Sequence, residues 1–250
     1  MRQIYFYTLI LLAAPAWLPA QDPVAAAMRN AVWPDAGAAG KGFSWSLFSR
    51  QYYSISNWNA TGLSAGYTSG FGYSSVVVIR DGIPGYSWYH LLLSHNRQFD
   101  KISCMLQLRF SMIRLKEQSP VFRLGGNINL TWLMSPMLKL HFTIYDFPGW
   151  LFPSNATRGD PAMEFFLFHE PGRLIGLMAG FQISQLQFGP VTSGIRININ
   201  DQVGLTGLFN VLPFGVSFGI SWQLNGFRFN GWLEQRNGLG VTPMMQVGRN

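Results

Sequence analysis

Between Val121 and Trp132 apolar and polar residues alternate: Phe122, Leu124, Ile128, Leu130 and Trp132 share one parity, and Arg123, Asn127, Asn129 and Thr131 the other. Period two belongs to a strand whose two faces meet different surroundings, because successive Cβ atoms point to opposite sides. After Ser135-Pro136 the pattern resumes, with Leu138, Leu140, Phe142 and Ile144 opposing Lys139, His141, Thr143 and Tyr145, so the two segments predict a hairpin. Upstream, Ile102, Cys104, Leu106, Leu108, Phe110 and Met112 oppose Ser103, Gln107, Arg109 and Ser111. Ile195, Ile197 and Ile199 alternate with Arg196, Asn198 and Asn200. Towards the C-terminus Phe214, Val216, Phe218, Ile220, Trp222 and Leu224 are sorted from Gly215, Ser217, Gly219, Ser221 and Gln223. Asn225-Gly226 is a strong hairpin signal, and beyond it Phe227, Phe229 and Leu233 oppose Arg228, Asn230, Glu234 and Arg236.

Alternation alone also fits a soluble sandwich. Strand length separates the two, since several segments carry five or six apolar positions on one face. That approaches the roughly 10 residues of a tilted membrane-crossing strand, whereas soluble strands average about 5–6. The pattern therefore predicts an all-β fold, a transmembrane antiparallel β-barrel of about twelve strands (range about 10–14), counted from 66–78 through 239–248. Its lumen would receive Arg109, Arg123, Asn127, Asn129, Lys139, His141, Glu164, Arg196, Arg228, Glu234 and Arg236. The turn-rich stretch from Pro148 to Pro161 reads as a long extracellular loop.

The chain start is different. A basic Arg2, an apolar run from Ile4 to Ala14, and Pro15, Pro19 and Ala20 before Gln21-Asp22 read as a signal peptide over residues 1–20, with an alternative cut near Ala25 to Ala27. Residues 21–65 lack clean alternation and are expected to form a periplasmic or plug-like segment, leaving 66–250 for the barrel. Composition agrees with a membrane wall: only 12% of residues are charged, against roughly 25% in an average soluble domain. No apolar stretch after residue 20 is long enough for a spanning helix. The net charge of +7 is not gathered into Lys/Arg clusters, so no nucleic-acid partner is expected; outer-membrane lipid is.

The segments Ala36-Gly37-Ala38-Ala39-Gly40-Lys41-Gly42 and Trp58-Asn59-Ala60-Thr61-Gly62-Leu63-Ser64 bear on family. They resemble the N-terminal signature of the PorV/PorQ-type barrels of Bacteroidetes, relatives of the fatty-acid transporter FadL, in which a small-residue run precedes an aromatic residue followed by Asn-Pro-Ala-Gly-Leu-Ala. The ending Asn237-Gly238-Leu239-Gly240-Val241-Thr242 is similar to the opening of that family's last strand. Ala60-Thr61 departs from the family's Pro-Ala order. The resemblance implies a barrel in the bacterial outer membrane, tied either to type IX secretion or to hydrophobic-solute passage, with Trp58, Asn59, Gly62 and Leu63 as the signature turn. On this reading Gly62 supplies a backbone conformation closed to other residues, the Asn59 amide satisfies neighbouring backbone groups, and the turn sits at the periplasmic mouth.

Chemistry is sparse. Ser94 and His95 are strand neighbours and point to opposite faces, so they make no nucleophile–base pair, and His90 and His169-Glu170 supply no better one. His90, His95, His141 and His169 lack metal-ligand spacing, and Cys104 on an apolar face reads as a small hydrophobe. No enzyme, cofactor or metal is expected. The positive lumenal residues suit an anion-preferring channel, or arginines that cross-link a filled interior; the second is preferred. The function expected is a non-enzymatic outer-membrane barrel acting with a protein partner in an envelope or secretion-associated complex. The alternative is a FadL-like channel for small hydrophobic or anionic solutes.

Overall fold

A computed structural model of the protein describes residues 42–54, 57–147, 162–184, 187–211, 214–236 and 240–249. Among them fourteen strands form one closed barrel, each paired antiparallel with its sequence neighbours and the last with the first. They are β1 (Gly42–Gln51), β2 (Asn59–Ser69), β3 (Gly72–Ile83), β4 (Tyr86–Phe99), β5 (Ile102–Leu115), β6 (Val121–Ser135) and β7 (Leu138–Tyr145). β8 (Ala162–His169), β9 (Ile175–Ser184), β10 (Gln187–Asn198), β11 (Val203–Asn210), β12 (Gly215–Leu224), β13 (Phe227–Arg236) and β14 (Gly240–Arg249) complete the wall.

Closure removes the free edges that an open sheet would expose. It also turns the usual protein inside out. Leu63, Val78, Phe110, Trp132, Ile195, Phe218 and Ile220 are exposed on the outer surface, while Gln107, Thr143 and Thr242 are almost fully buried. An outer surface of that composition belongs in lipid, where every backbone polar group must be satisfied by the neighbouring strand. Asn225 and Gly226 both take positive φ, 50° and 80°, the pair that a two-residue turn matched to strand twist requires.

Gly42 and Arg249 lie at one end of the barrel, since Trp45 pairs with Arg249. The same end carries the turns between β2 and β3, β4 and β5, β6 and β7, and β12 and β13. We call it the terminal end. The β1–β2 connection belongs to the opposite end, called the far end, where β7 finishes and β8 begins.

The strand count corrects the sequence reading in two places. Residues 42–51 and 59–65, assigned above to a periplasmic or plug segment, lie in strands β1 and β2, and the single strand expected at 66–78 covers the end of β2, the turn and the first part of β3. In β1 the polarity inverts midway: Phe43 and Leu47 face outward, but Phe48 turns inward to pack with Ile79 and Leu92. That inversion hides the strand from a search for alternation. At the second place Tyr67, Phe71 and Tyr73 keep one parity across the tight Ser69–Gly72 turn, so the alternation runs on through it. Residues 1–41, with the expected signal peptide and the Ala/Gly run, lie outside the described residues, as does the loop at 148–161.

Candidate functional site

The inward faces divide the lumen into a cross-linked side and a hollow side. On β5 to β7 polar side chains meet one another across the ladder. Asn127 donates to Gln107 at 2.8 Å and accepts the Asp146 backbone N–H at 3.2 Å, while Arg109 lies 3.7 Å from the Asp146 carboxylate. Thr143 donates its single hydroxyl proton to Asn129 at 2.8 Å. Its oxygen must then accept from His141 Nε2, 3.0 Å away, which fixes the tautomer and leaves Nδ1 for Thr131 at 2.8 Å. Tyr145 donates to Glu164 at 2.5 Å.

Several sequence-predicted lumenal residues thus meet as a chain. Lys139 pairs with Glu170 at 2.9 Å, whereas His141 is bonded to threonines. Arg123 has inward parity but sits exposed near the far rim. On the other side, Arg196 Nε donates to Asn198 at 2.9 Å, and Arg228 lines the cavity described below. Glu234 accepts a 2.7 Å bond from Arg50, and the Arg236 side chain lies outside the described residues.

Arg50, which the sequence reading passed over, anchors the far-end structure. Its guanidinium lies 4.7 Å from the Tyr52 ring centroid. Tyr52 donates through its hydroxyl to Asp81 Oδ2 at 3.0 Å, and the Trp58 indole N–H donates to Asp81 Oδ1 at 3.1 Å, so one buried carboxylate ties both ends of the β1–β2 turn to β3. Between them Tyr53 adopts φ 51° and its backbone N–H donates to Thr242 Oγ1 at 2.9 Å.

Of the signature residues, Trp58 and Asn59 stand at the far end, where β2 begins, and Gly62 and Leu63 lie within that strand. Asn59 is exposed at the start of β2, and Leu63 faces outward. Gly62 needs its small size for space and not for conformation. It lies within the β2 ladder between Phe48 and Ile79, and a Cβ there would fall 2.3 Å from the Phe48 ring. Gly62→Val is expected to lower stability by about 1–3 kcal/mol through overpacking, read as a lower urea-unfolding midpoint. Gly231→Ala, whose Cβ would meet only Ile220 at 3.4 Å, should leave the midpoint unchanged; equal effects would refute the packing argument.

The hollow side runs along β8 to β13 as a cavity of about 750 Å³. Part of its wall is apolar, with Phe166, Phe168, Met178, Leu208 and Trp232. Towards the terminal end the lining turns polar at Arg196, Asn198, Gln223, Arg228 and Asn230. Glycines on neighbouring strands keep the space open. A Cβ at Gly219 would fall 1.8 Å from the Trp232 ring, and one at Gly180 2.1 Å from the Phe166 ring, so each bulky group lies flat on a glycine. At Gly194 a Cβ would meet Leu208 at 2.5 Å and Met178 at 2.8 Å. The sequence signal was the recurrence of inward glycines on successive strands, which acquires meaning only once the register is known.

His90 bonds to Ser111 at 2.8 Å, Ser94 to Ser75 at 2.6 Å, and outward-facing His95 to Ser74 at 2.9 Å, so these side chains form no converged triad. Among the described residues no three His, Cys, Asp or Glu side chains gather as a metal site.

Solved structures share this architecture. The toluene transporter TbuX of Ralstonia pickettii superposes with a TM-score of 0.65 at 9% identity, over 86% of this chain and 90% of that one. A deletion mutant of the TodX monoaromatic hydrocarbon channel gives 0.59 at 10% identity, over 85% and 90%. The Acinetobacter baumannii outer membrane protein Omp33 gives 0.54 at 7% identity, over 84% and 98%. The fold is that of an outer-membrane β-barrel. At these identities the likeness is one of fold alone. No protein-family profile and no curated protein matches the chain, so the PorV/PorQ resemblance, a Bacteroidetes origin and a link to type IX secretion gain no support from relatives.

Proposed function

We propose that this barrel is a non-enzymatic outer-membrane channel for small, largely apolar solutes, which occupy the cavity between β8 and β13. The cavity carries the proposal: its volume of about 750 Å³ lies in the range of small-molecule sites, roughly 300–1,000 Å³. A wall built only to close itself would have no use for glycines that fold Phe166 and Trp232 back against it. Likeness of fold to a toluene transporter and a monoaromatic hydrocarbon channel supports the same reading. We prefer it to a component of a secretion complex, because the signature residues that suggested such a complex are accounted for by the bond from Trp58 to Asp81 and the packing of Phe48 on Gly62.

Uptake of a radiolabelled arene by Gram-negative cells expressing the protein tests this. Wild type should accelerate uptake over cells carrying an empty vector. Gly219→Leu, which drives Trp232 into the cavity, and Ser221→Trp, which fills the cavity from its polar part, should each abolish most of the gain while both variants keep heat-modifiable migration. Uptake that is undiminished in both variants would contradict the proposal.

A further inference from the structure

The two ends of the cavity differ in chemistry. Three arginines line it, Arg173, Arg196 and Arg228, against two acidic residues, Glu170 and Asp201. Glu170 is already engaged by Lys139 at 2.9 Å, which leaves the polar end basic. The polar end is also built. Arg196 is oriented by its bond to Asn198 Oδ1, and Asn198 in turn donates through Nδ2 to the Arg173 carbonyl oxygen at 2.7 Å. Arg228 and Trp232 share the inward face of β13, four residues apart and so about 13 Å from each other along the strand, while Arg196 lies opposite Thr206, one inward position from Leu208.

A neutral hydrocarbon would gain from the aromatic floor and nothing from the arginines. Positive charge lining a low-dielectric cavity raises the local concentration of anions, and guanidinium matches a carboxylate in shape as well as charge. Resting on the solute reading above, we propose that the preferred occupant is an amphiphilic monoanion: a compact apolar body of one or two rings bearing one carboxylate. The ring sits against Phe168, Leu208 and Trp232, and the carboxylate faces Arg196 and Arg228. Arg196 beside Leu208, and Arg228 about 13 Å along the strand from Trp232, suit a compact body and disfavour long extended chains.

Benzoate and benzamide, equal in size and differing in charge, separate the possibilities by calorimetric titration of the purified barrel at pH 7. Wild type should bind benzoate at least about fivefold more tightly, the equivalent of roughly 1 kcal/mol from a partly solvated charge pair. Arg196→Gln and Arg228→Gln should each bring benzoate towards the benzamide level and leave benzamide unchanged, while Arg228→Lys keeps most of the preference. Should either glutamine variant lose its folded migration, salt titration of wild type serves instead: the preference must shrink as ionic strength screens the arginines. Equal binding of the two solutes by wild type would overturn the anion preference and leave the apolar-solute reading standing. Binding of neither would overturn both.

Discussion

Arg50→Ala is expected to destabilise the barrel by about 3–5 kcal/mol, because it leaves the Glu234 carboxylate buried without its cation. The pair is deep: the two side chains are 3% and 11% exposed, joined by one 2.7 Å contact. Arg50 Nε and Nη1 have no hydrogen-bond partner among the described residues, so the guanidinium depends on Glu234 and on the Tyr52 ring 4.7 Å away. Glu234→Ala should be comparably harmful, since the stranded charge is then the arginine. Removing both charges at once behaves differently. Arg50→Met combined with Glu234→Leu abolishes the desolvation cost together with the attraction and should recover most of the loss. Urea-unfolding midpoints in lipid vesicles read the effect, and single variants as stable as wild type would mean that the pair is solvated and the far end open to water.

Phe218→Arg should cost about 2–4 kcal/mol, the penalty for an arginine near the bilayer midplane on a lipid-facing strand. Phe218 lies in the middle of β12, half exposed on the outer surface, and pairs with Leu233 and Gly207. Ser221, three residues further along the same strand, faces the cavity, where a guanidinium joins other polar groups. Ser221→Arg should therefore assemble at nearly wild-type yield. Equal tolerance at the two positions would mean that the outer face does not meet lipid, and the barrel would have to be soluble.

Most of the wall was legible in the sequence because the signal for a half-buried strand is local. Val121 to Tyr145 declared its hairpin by alternation, and Asn225-Gly226 marked its turn; both stand in the structure. Alternation failed where the lumen is itself apolar. Phe48 and Trp232 turn inward beside outward Ser49 and Gly231, so their strands read with the wrong sign at those positions. Gly62 shows the same limit from another side: a glycine in a family-like motif suggested a special turn, whereas its cause is the Phe48 ring on a neighbouring strand. The cavity was beyond a sequence reading altogether. Its shape comes from Gly180, Gly194 and Gly219 on three strands, each matched to a bulky residue by the register of the ladder. An error of two strands in the count leaves that register undefined.

The central claim is that an apolar solute rests inside the wall between β8 and β13. Crystals of the barrel soaked in bromobenzene test it directly through the anomalous signal of bromine. The predicted result is a peak within the cavity, in contact with Phe168, Leu208 and Trp232, that disappears in Ser221→Trp. Bromine found only in the detergent belt around Phe218 and Ile220, with the cavity holding ordered water, would contradict it.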